Sequence, residues 1–243
     1  MTKALDIIKP QIFPTDEIIS GVTKANKDLF PPYGFSISKG EIYNQEQIDN
    51  FKQILADQLG IPYEQLKLQK QVHCTECGDI DTKSAISETD AMITNEKGIV
   101  LGLSLADCGG ILVYEPKAKV VAAIHSGWRG SKERIVEKTI KKMVSEYNCS
   151  VSDMLFYIAP SACVFCYEVG DEFIEYFPET TIRREGQPYF DNKTEIVKQI
   201  LASGGERSKI EISPICTIED IDFHSFRRDK SLSGRMCAFI GLI

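Results

Sequence analysis

Three side chains in this sequence offer metal-ligating or nucleophilic chemistry in one shared setting: His73, Cys108 and His125. His73 ends the alternating run from Leu66 and precedes the turn Cys74-Thr-Glu-Cys-Gly78. Cys108 follows the apolar run Ile99–Ala106 and precedes Gly109-Gly110. His125 ends the run Val120–Ile124 and precedes Ser126-Gly127. Each stands where an apolar strand is expected to emerge into a turn, so rigid elements can hold the three in register. A His₂Cys set binds zinc with a fourth position open, the arrangement of catalytic sites. The same residues equally suit a metal-free dyad, with Cys108 as nucleophile and His125 as its base. Taken singly, a cysteine after an apolar strand reads as core and a lone histidine as a satisfied polar group. Spacing alone leaves these readings open.

The elements around them are those of a mixed fold. Ala91–Thr94, Ile99–Ala106, Gly110–Tyr114 and Val120–Ile124 are short, rich in Ile, Val and Leu, and bounded by turn residues, as buried strands are. Glu46–Leu59 carries apolar residues on one helical face and is closed by Gly60 and Pro62. A long amphipathic helix is expected after Ser131 as N-cap, and another over Asn192–Ala202 with Asn192 and Glu195 as a capping box. Leu155–Ile158, Ile210–Ile215 and Met236–Ile243 read as strands, Asp171–Phe177 as a short helix, and residues 1–45 as irregular, broken by prolines. The pattern predicts an α+β fold, a mixed β-sheet with packed helices, in a single domain over residues 1–243.

Composition narrows the function classes. A net charge of -7 and a pI near 5.2 disfavour a nucleic-acid partner. No secretory signal is visible and the longest apolar stretch is too short to span a bilayer, so the chain reads as cytoplasmic, with no membrane partner. The eight cysteines are then expected as thiols rather than disulfides. Cys74-x-x-Cys77 and Cys163-x-x-Cys166 each have the spacing of half a zinc site. They lie much farther apart than the halves of a zinc ribbon, so neither pair is expected to hold a structural metal. Arg129, after Gly127-Trp128 at an expected helix N-terminus, and Arg227 in Phe226-Arg-Arg-Asp229 are basic residues suited to an anion. The competing reading is a surface ion pair, such as Arg228 with Asp229.

Gln71-Val-His73, Ala106-Asp-Cys108, Ala123-Ile-His-Ser-Gly-Trp-Arg-Gly130, Cys166-Tyr-Glu-Val-Gly170, Cys216-Thr217, Phe226-Arg-Arg-Asp229 and Gly234-Arg-Met236 occur in order. Together they resemble the YfiH family, also labelled polyphenol oxidase or laccase-domain proteins, from about residue 66 to the C-terminus. The resemblance implies a YfiH-like fold of the cysteine-hydrolase superfamily, with residues 1–65 a divergent part of the same domain. It implies zinc on His73, Cys108 and His125. The implied activity is phosphorolysis of adenosine, inosine and methylthioadenosine, with adenosine deamination alongside: transferase and hydrolase chemistry on a purine nucleoside and phosphate, by a monomer or small homo-oligomer. From motif position, Arg129 and Arg227 are candidates for holding phosphate, and Asp107 and Glu168 for proton transfer. One departure stands out. Ile37, in Gly34-Phe-Ser-Ile-Ser38, occupies the place of an arginine in the family's N-terminal motif.

Copper oxidase chemistry, which a family label suggests, is disfavoured by count. A multicopper oxidase draws mainly on imidazole for several copper ions, and this chain has three histidines. Copper is expected only as an adventitious occupant of the His₂Cys set.

Overall fold

The computed structural model describes residues 4–243. Strands β1 (Ile7–Ile8), β2 (Ile18–Thr23), β3 (Leu66–Leu68), β6 (Val100–Leu105) and β13 (Met236–Leu242) form a five-stranded sheet in the order β1-β2-β13-β6-β3. Strands β4 (Cys77–Asp79), β5 (Ala91–Thr94), β7 (Gly109–Glu115), β8 (Val120–Ser126), β9 (Leu155–Ile158) and β12 (Ile210–Ile212) form a six-stranded sheet in the order β12-β9-β7-β8-β5-β4. A separate hairpin joins β10 (Thr181–Arg184) to β11 (Gln187–Phe190). Both large sheets are mixed: β3 runs parallel to β6, β12 to β9 and β4 to β5, and the other pairs are antiparallel. The fold is therefore mixed α/β, but with two main sheets where the strand pattern predicted one.

Side-chain alternation explains the layering. Leu101, Leu103 and Leu105 of β6 face Leu112 and Tyr114 of β7 and Val121 and Ala123 of β8 in a core between the sheets. The opposite face of the first sheet, with Val100, Cys237 and Phe239, packs on helix α1 (Gln45–Leu59) through Ile48, Phe51 and Leu55. The opposite face of the second, with Ile111, Val113, Ala122 and Ile124, packs on α3 (Ile135–Tyr147) and α5 (Asn192–Ala202). Period two in the strands thus feeds both faces of each sheet, giving helix, sheet, sheet and helix layers. The chain crosses from one sheet to the other at Ala106–Cys108, between β6 and β7.

Several boundaries differ from expectation for local reasons. Residues 1–45 are not wholly irregular: β2 forms after Pro14, where Ile18 and Val22 bury against β13. β3 stops at Leu68, so His73 lies beyond the strand. Ser131 is not an N-cap. A five-residue helix α2 (Trp128–Lys132) comes first, and Arg134 turns left-handed at φ 62° before α3 begins. In α5 the cap is Asp191, which accepts from Thr194 N, because the amide of Asn192 is drawn inward. Helices α4 (Glu172–Tyr176) and α6 (Phe226–Asp229) are short. Among the described residues no helix is long and apolar enough to cross a membrane.

His224 is buried between the first sheet and the Phe35 segment, its Nε2 2.7 Å from the Phe35 carbonyl. Burial pushes its pKa down to about 4, with Lys27 and Arg235 adding to the effect and the carbonyl opposing it. The unfolded chain, titrating near the usual 6.5, takes up this proton first. His224 is thus expected to contribute stability that is complete above pH 6.5 and falls as pH drops toward 4. The fall from 6.5 to about 4 corresponds to roughly 3 kcal/mol. Urea denaturation at pH 7 and pH 4.5, repeated on His224→Gln, should show a smaller pH dependence in the variant; an equal dependence refutes the assignment.

Candidate metal centre and active site

The crossing between the sheets gathers the three residues. Ligand atoms of His73, Cys108 and His125 all lie within 4.8 Å of one another. Cys108 Sγ is 3.9 Å from His73 Nε2, and the two imidazole rings meet edge-on at 80°, with centroids 5.0 Å apart. Zinc bonds of ~2.3 Å to sulfur and ~2.0 Å to nitrogen put tetrahedral ligand atoms roughly 3.5 Å apart, close to this spacing. The donor set fits a borderline-soft divalent cation and leaves one position open.

Asp90, which sequence reasoning missed, organises both histidines. Its Oδ1 lies 2.6 Å from His125 Nδ1, and its Oδ2 accepts from Val72 N at 3.0 Å and Cys74 N at 2.9 Å. Those N–H groups flank His73, whose left-handed backbone (φ 61°) they hold in place. The His125 backbone N–H also donates to the Asp90 carbonyl. With Nδ1 protonated toward the carboxylate, Nε2 is free to ligate. Burial would raise the Asp90 carboxyl, but the His125 contact and the two N–H groups outweigh it and hold the pKa near about 2. Burial opposes both charges of the neighbouring pair as well. The histidines nevertheless lower the Cys108 thiol to about 6, and Asp90 with Cys108 raises His125 to about 9. Each partner thus favours the charged form of the other, thiolate beside imidazolium.

Gly127 permits the approach. A Cβ there would stand 3.0 Å from His73 Cδ2 and 3.1 Å from Cys108 Sγ. Behind it, a buried amide–hydroxyl network fixes the end of β8. Asn192 Nδ2 donates to the Ser126 carbonyl, Ser131 Oγ donates to Asn192 Oδ1, and Gln199 Nε2 donates to the Ser131 carbonyl. The amide at 192 is therefore a support for the centre, a role its expected capping function had hidden.

Two clefts open onto Cys108. One, of about 440 Å³, is lined by Ser38, Gln69, Lys70, Gln71, Ser104 and Arg235, besides the three ligand residues. The other, of about 300 Å³, is walled by Trp128, Tyr167, Phe226, Arg227 and Lys230. Ala106, Cys108 and Phe226 border both. Arg235 is a second residue missed in the sequence, although its Gly234-Arg-Met236 motif is conspicuous. Its guanidinium donates to the Ser233 and Gly234 carbonyls beside Ser38. Ile37 turns instead into the α1 core, its backbone N–H on the Arg235 carbonyl.

The other predicted residues fall in varied positions. Arg227 lines the aromatic cleft with its guanidinium 5.2 Å from the Tyr167 ring centroid. Arg129 is exposed and stacked at 4.4 Å over Trp128, and the helix that follows is too short to supply the expected N-terminal anion site. Asp107, at φ 80°, accepts from Thr217 Oγ1 at 2.7 Å, Ser225 Oγ at 3.1 Å and Arg227 N at 2.6 Å. That carboxylate is committed to three donors, an anchoring role that competes with proton transfer. Glu168 is exposed and bridges to Tyr189 through its backbone. Arg228 forms the expected pair with Asp229 at 2.7 Å. Cys74 Sγ turns to the Glu88 carbonyl, and burial pushes the Cys77 thiol up to about 12.

These features define a mixed α/β protein with a candidate metal centre at the seam of its sheets. The chain belongs to the multi-copper polyphenol oxidoreductase laccase family, whose sequence profile matches residues 32–243. The YfiH-type resemblance of its motifs is thereby borne out. It is 35% identical over 175 residues to a purine nucleoside phosphorylase of Clostridium acetobutylicum, covering 70% of this chain and 74% of that protein. It is 30% identical over 201 residues to adenosine deaminase RL5 of an unknown prokaryote, covering 74% and 76%. The crystal structure of YlmD from Geobacillus stearothermophilus superposes with a TM-score of 0.87 at 27% identity, covering 96% of this chain and 94% of that one.

Proposed function

We propose that this chain is a purine nucleoside phosphorylase, with adenosine deamination as a second activity, working at a zinc ion held by His73, Cys108 and His125. The observation that carries the reading is the meeting of an aromatic and a basic cleft at Cys108. Relatives named purine nucleoside phosphorylase and adenosine deaminase support it.

In phosphorolysis a phosphate oxygen bonds to the anomeric carbon, the bond from that carbon to the purine nitrogen breaks, and the purine leaves with a proton. Trp128, Tyr167 and Phe226 offer π-faces on which a base can stack. Burial and the negative charge of Cys108 raise the Tyr167 hydroxyl to about 12, so it remains a neutral donor for the departing base. Arg235 and Lys70, the latter also paired with Glu88, offer cationic donors to phosphate in the other cleft. Arg227 is the corresponding cation beside the base. When bound, zinc would supply Lewis-acid stabilisation of developing charge. A multicopper arrangement is not supported: with His224 committed to Phe35, two imidazoles face the centre.

A second reading has its own support. The Cys108 thiolate and His125 imidazolium are the ionised pair of a metal-free cysteine hydrolase. The deciding assay is base release from adenosine and inosine with and without phosphate. Phosphate-dependent adenine or hypoxanthine is expected, and no product under either condition refutes the nucleoside reading.

A further inference from the structure

A second cluster of metal-ligating side chains lies apart from the first. Sequence spacing set Cys163-x-x-Cys166 beside Cys74-x-x-Cys77, but the fold brings it to Cys216 and Glu219. The segment after β9 and the segment after β12 run side by side: Ser161 and Cys216 form a parallel bridge, and Thr217 N donates to the Ser161 carbonyl. Each segment then turns. Cys166 N and Tyr167 N both donate to the Cys163 carbonyl, and Asp220 N donates to the Cys216 carbonyl. Each turn therefore presents a soft or acidic side chain at its first and fourth positions. Ligand atoms of Cys163, Cys166, Cys216 and Glu219 lie within 4.8 Å of one another.

We propose that Cys163, Cys166, Cys216 and Glu219 form a second, structural site for a thiophilic divalent cation, with zinc as its occupant. Two facing turns, each giving ligands three residues apart, are the architecture of closed tetrahedral zinc sites. One of the sulfurs, Cys216 Sγ, already receives an N–H of the kind that supports a ligating thiolate. Cys163 N–H points at Cys216 Sγ at 3.4 Å. The Lys193 ammonium, bonded to the Ser213 and Ile215 carbonyls, places positive charge near Cys216 and Cys163. Cys166 Sγ sits 3.2 Å from Glu219 Oε1, sharing a proton that a cation would displace. Binding releases the thiol protons to solvent and changes no oxidation state. A disulfide would use two of the three sulfurs and leave the carboxylate contact without a purpose.

The site would clamp two turns that both grip the residue before Cys108. Ala162 N donates to the Asp107 carbonyl, and Thr217 Oγ1 donates to the Asp107 carboxylate. Tyr167, a wall of the aromatic cleft, directly follows Cys166. The cation would thus be a positioning element for the first centre. The proposal does not depend on what reaction that centre performs.

The test is metal stoichiometry and cobalt spectroscopy on the full chain. Protein stripped by chelator and titrated with Co²⁺ is expected to take up two equivalents, and Cys108→Ala to retain one with strong sulfur-to-cobalt charge transfer. On that background Cys163→Ser should weaken the remaining site by more than the roughly 10- to 100-fold cost of losing an outer-sphere partner. Glu219→Gln, an exposed substitution that leaves the core intact, should shift the cobalt ligand-field bands. Three results overturn the proposal: no cobalt on folded Cys108→Ala, a cobalt spectrum unchanged by both Cys163→Ser and Glu219→Gln, or a disulfide among Cys163, Cys166 and Cys216 mapped in unreduced protein.

Discussion

Cys108→Ala is expected to lower nucleoside turnover by at least ~10³-fold and to remove the metal of the His73–Cys108–His125 centre. The thiolate is the one anionic ligand of the set, and its loss leaves two neutral imidazoles to hold a dication. Metal stabilisation of transition-state charge is worth several kcal/mol, and each 1.4 kcal/mol is about tenfold in rate. The companion variant His73→Ala separates the two readings of the site. A Cys108–His125 dyad needs no second imidazole, so it predicts near-normal activity for His73→Ala. The metal reading predicts that both variants lose metal and activity together. His73 is exposed, and its backbone turn is held by the Val72 and Cys74 N–H groups on Asp90 rather than by its ring, so its truncation should leave the fold intact. Elemental analysis beside kcat/KM on both variants makes the distinction; full activity in metal-free His73→Ala would retire the zinc mechanism.

The strands that carry the centre were legible because their Ile, Val and Leu runs are bounded by turn residues, as at Ala91–Thr94 and Val120–Ile124. Local rules also found α1, from its apolar face and the glycine stop that follows it. What was not legible lies in contacts across the chain. Nothing near Cys108 announces that β6 and β7 join different sheets, because each strand's partners come from distant segments. Asp90 reaches His125 from 35 residues away, and an aspartate before a strand ordinarily reads as a turn residue. Asn192 was assigned to a cap because cap chemistry is local, whereas its hydrogen bonds run to Ser126 and Ser131, 66 and 61 residues earlier. Cys163-x-x-Cys166 lies too far in sequence from Cys74-x-x-Cys77 to be read as a metal site with it, but the parallel course of β9 and β12 delivers Cys216 and Glu219 to it.

Asp90→Asn should be the most damaging near-isosteric change in the chain. One carboxylate serves donors on two sides: His125 Nδ1 on Oδ1, and Val72 and Cys74 N–H on Oδ2. An asparagine offers one acceptor and one donor. If its oxygen faces His125, its NH₂ confronts two backbone N–H groups and the left-handed turn at His73 loses its support. If it flips, NH₂ faces His125 Nδ1, the imidazole proton moves to Nε2, and that nitrogen can no longer ligate. Either way metal affinity should fall by roughly 10- to 100-fold or more. Breaking such a buried pair costs about 3–5 kcal/mol. The pH dependence carries a distinct signature in metal-free protein. Asp90, held near about 2 against its usual 3.8, contributes stability that is present above 3.8 and lost as pH falls through 2. His125, raised from 6.5 to about 9, contributes stability that is present below 6.5 and lost as pH rises through 9. Cys108 adds to the second shift only where it is ionised, above about pH 6. Chelated wild-type protein should therefore gain stability up to about pH 4 and hold it at higher pH, because between 6.5 and 9 the proton that His125 keeps is offset by the one that Cys108, lowered to about 6, gives up. Asp90→Asn removes the acid-side loss, worth about 2 kcal/mol. Denaturant midpoints for both proteins across pH 3 to 9 would read this out, and matching pH profiles would show that Asp90 does not organise the centre.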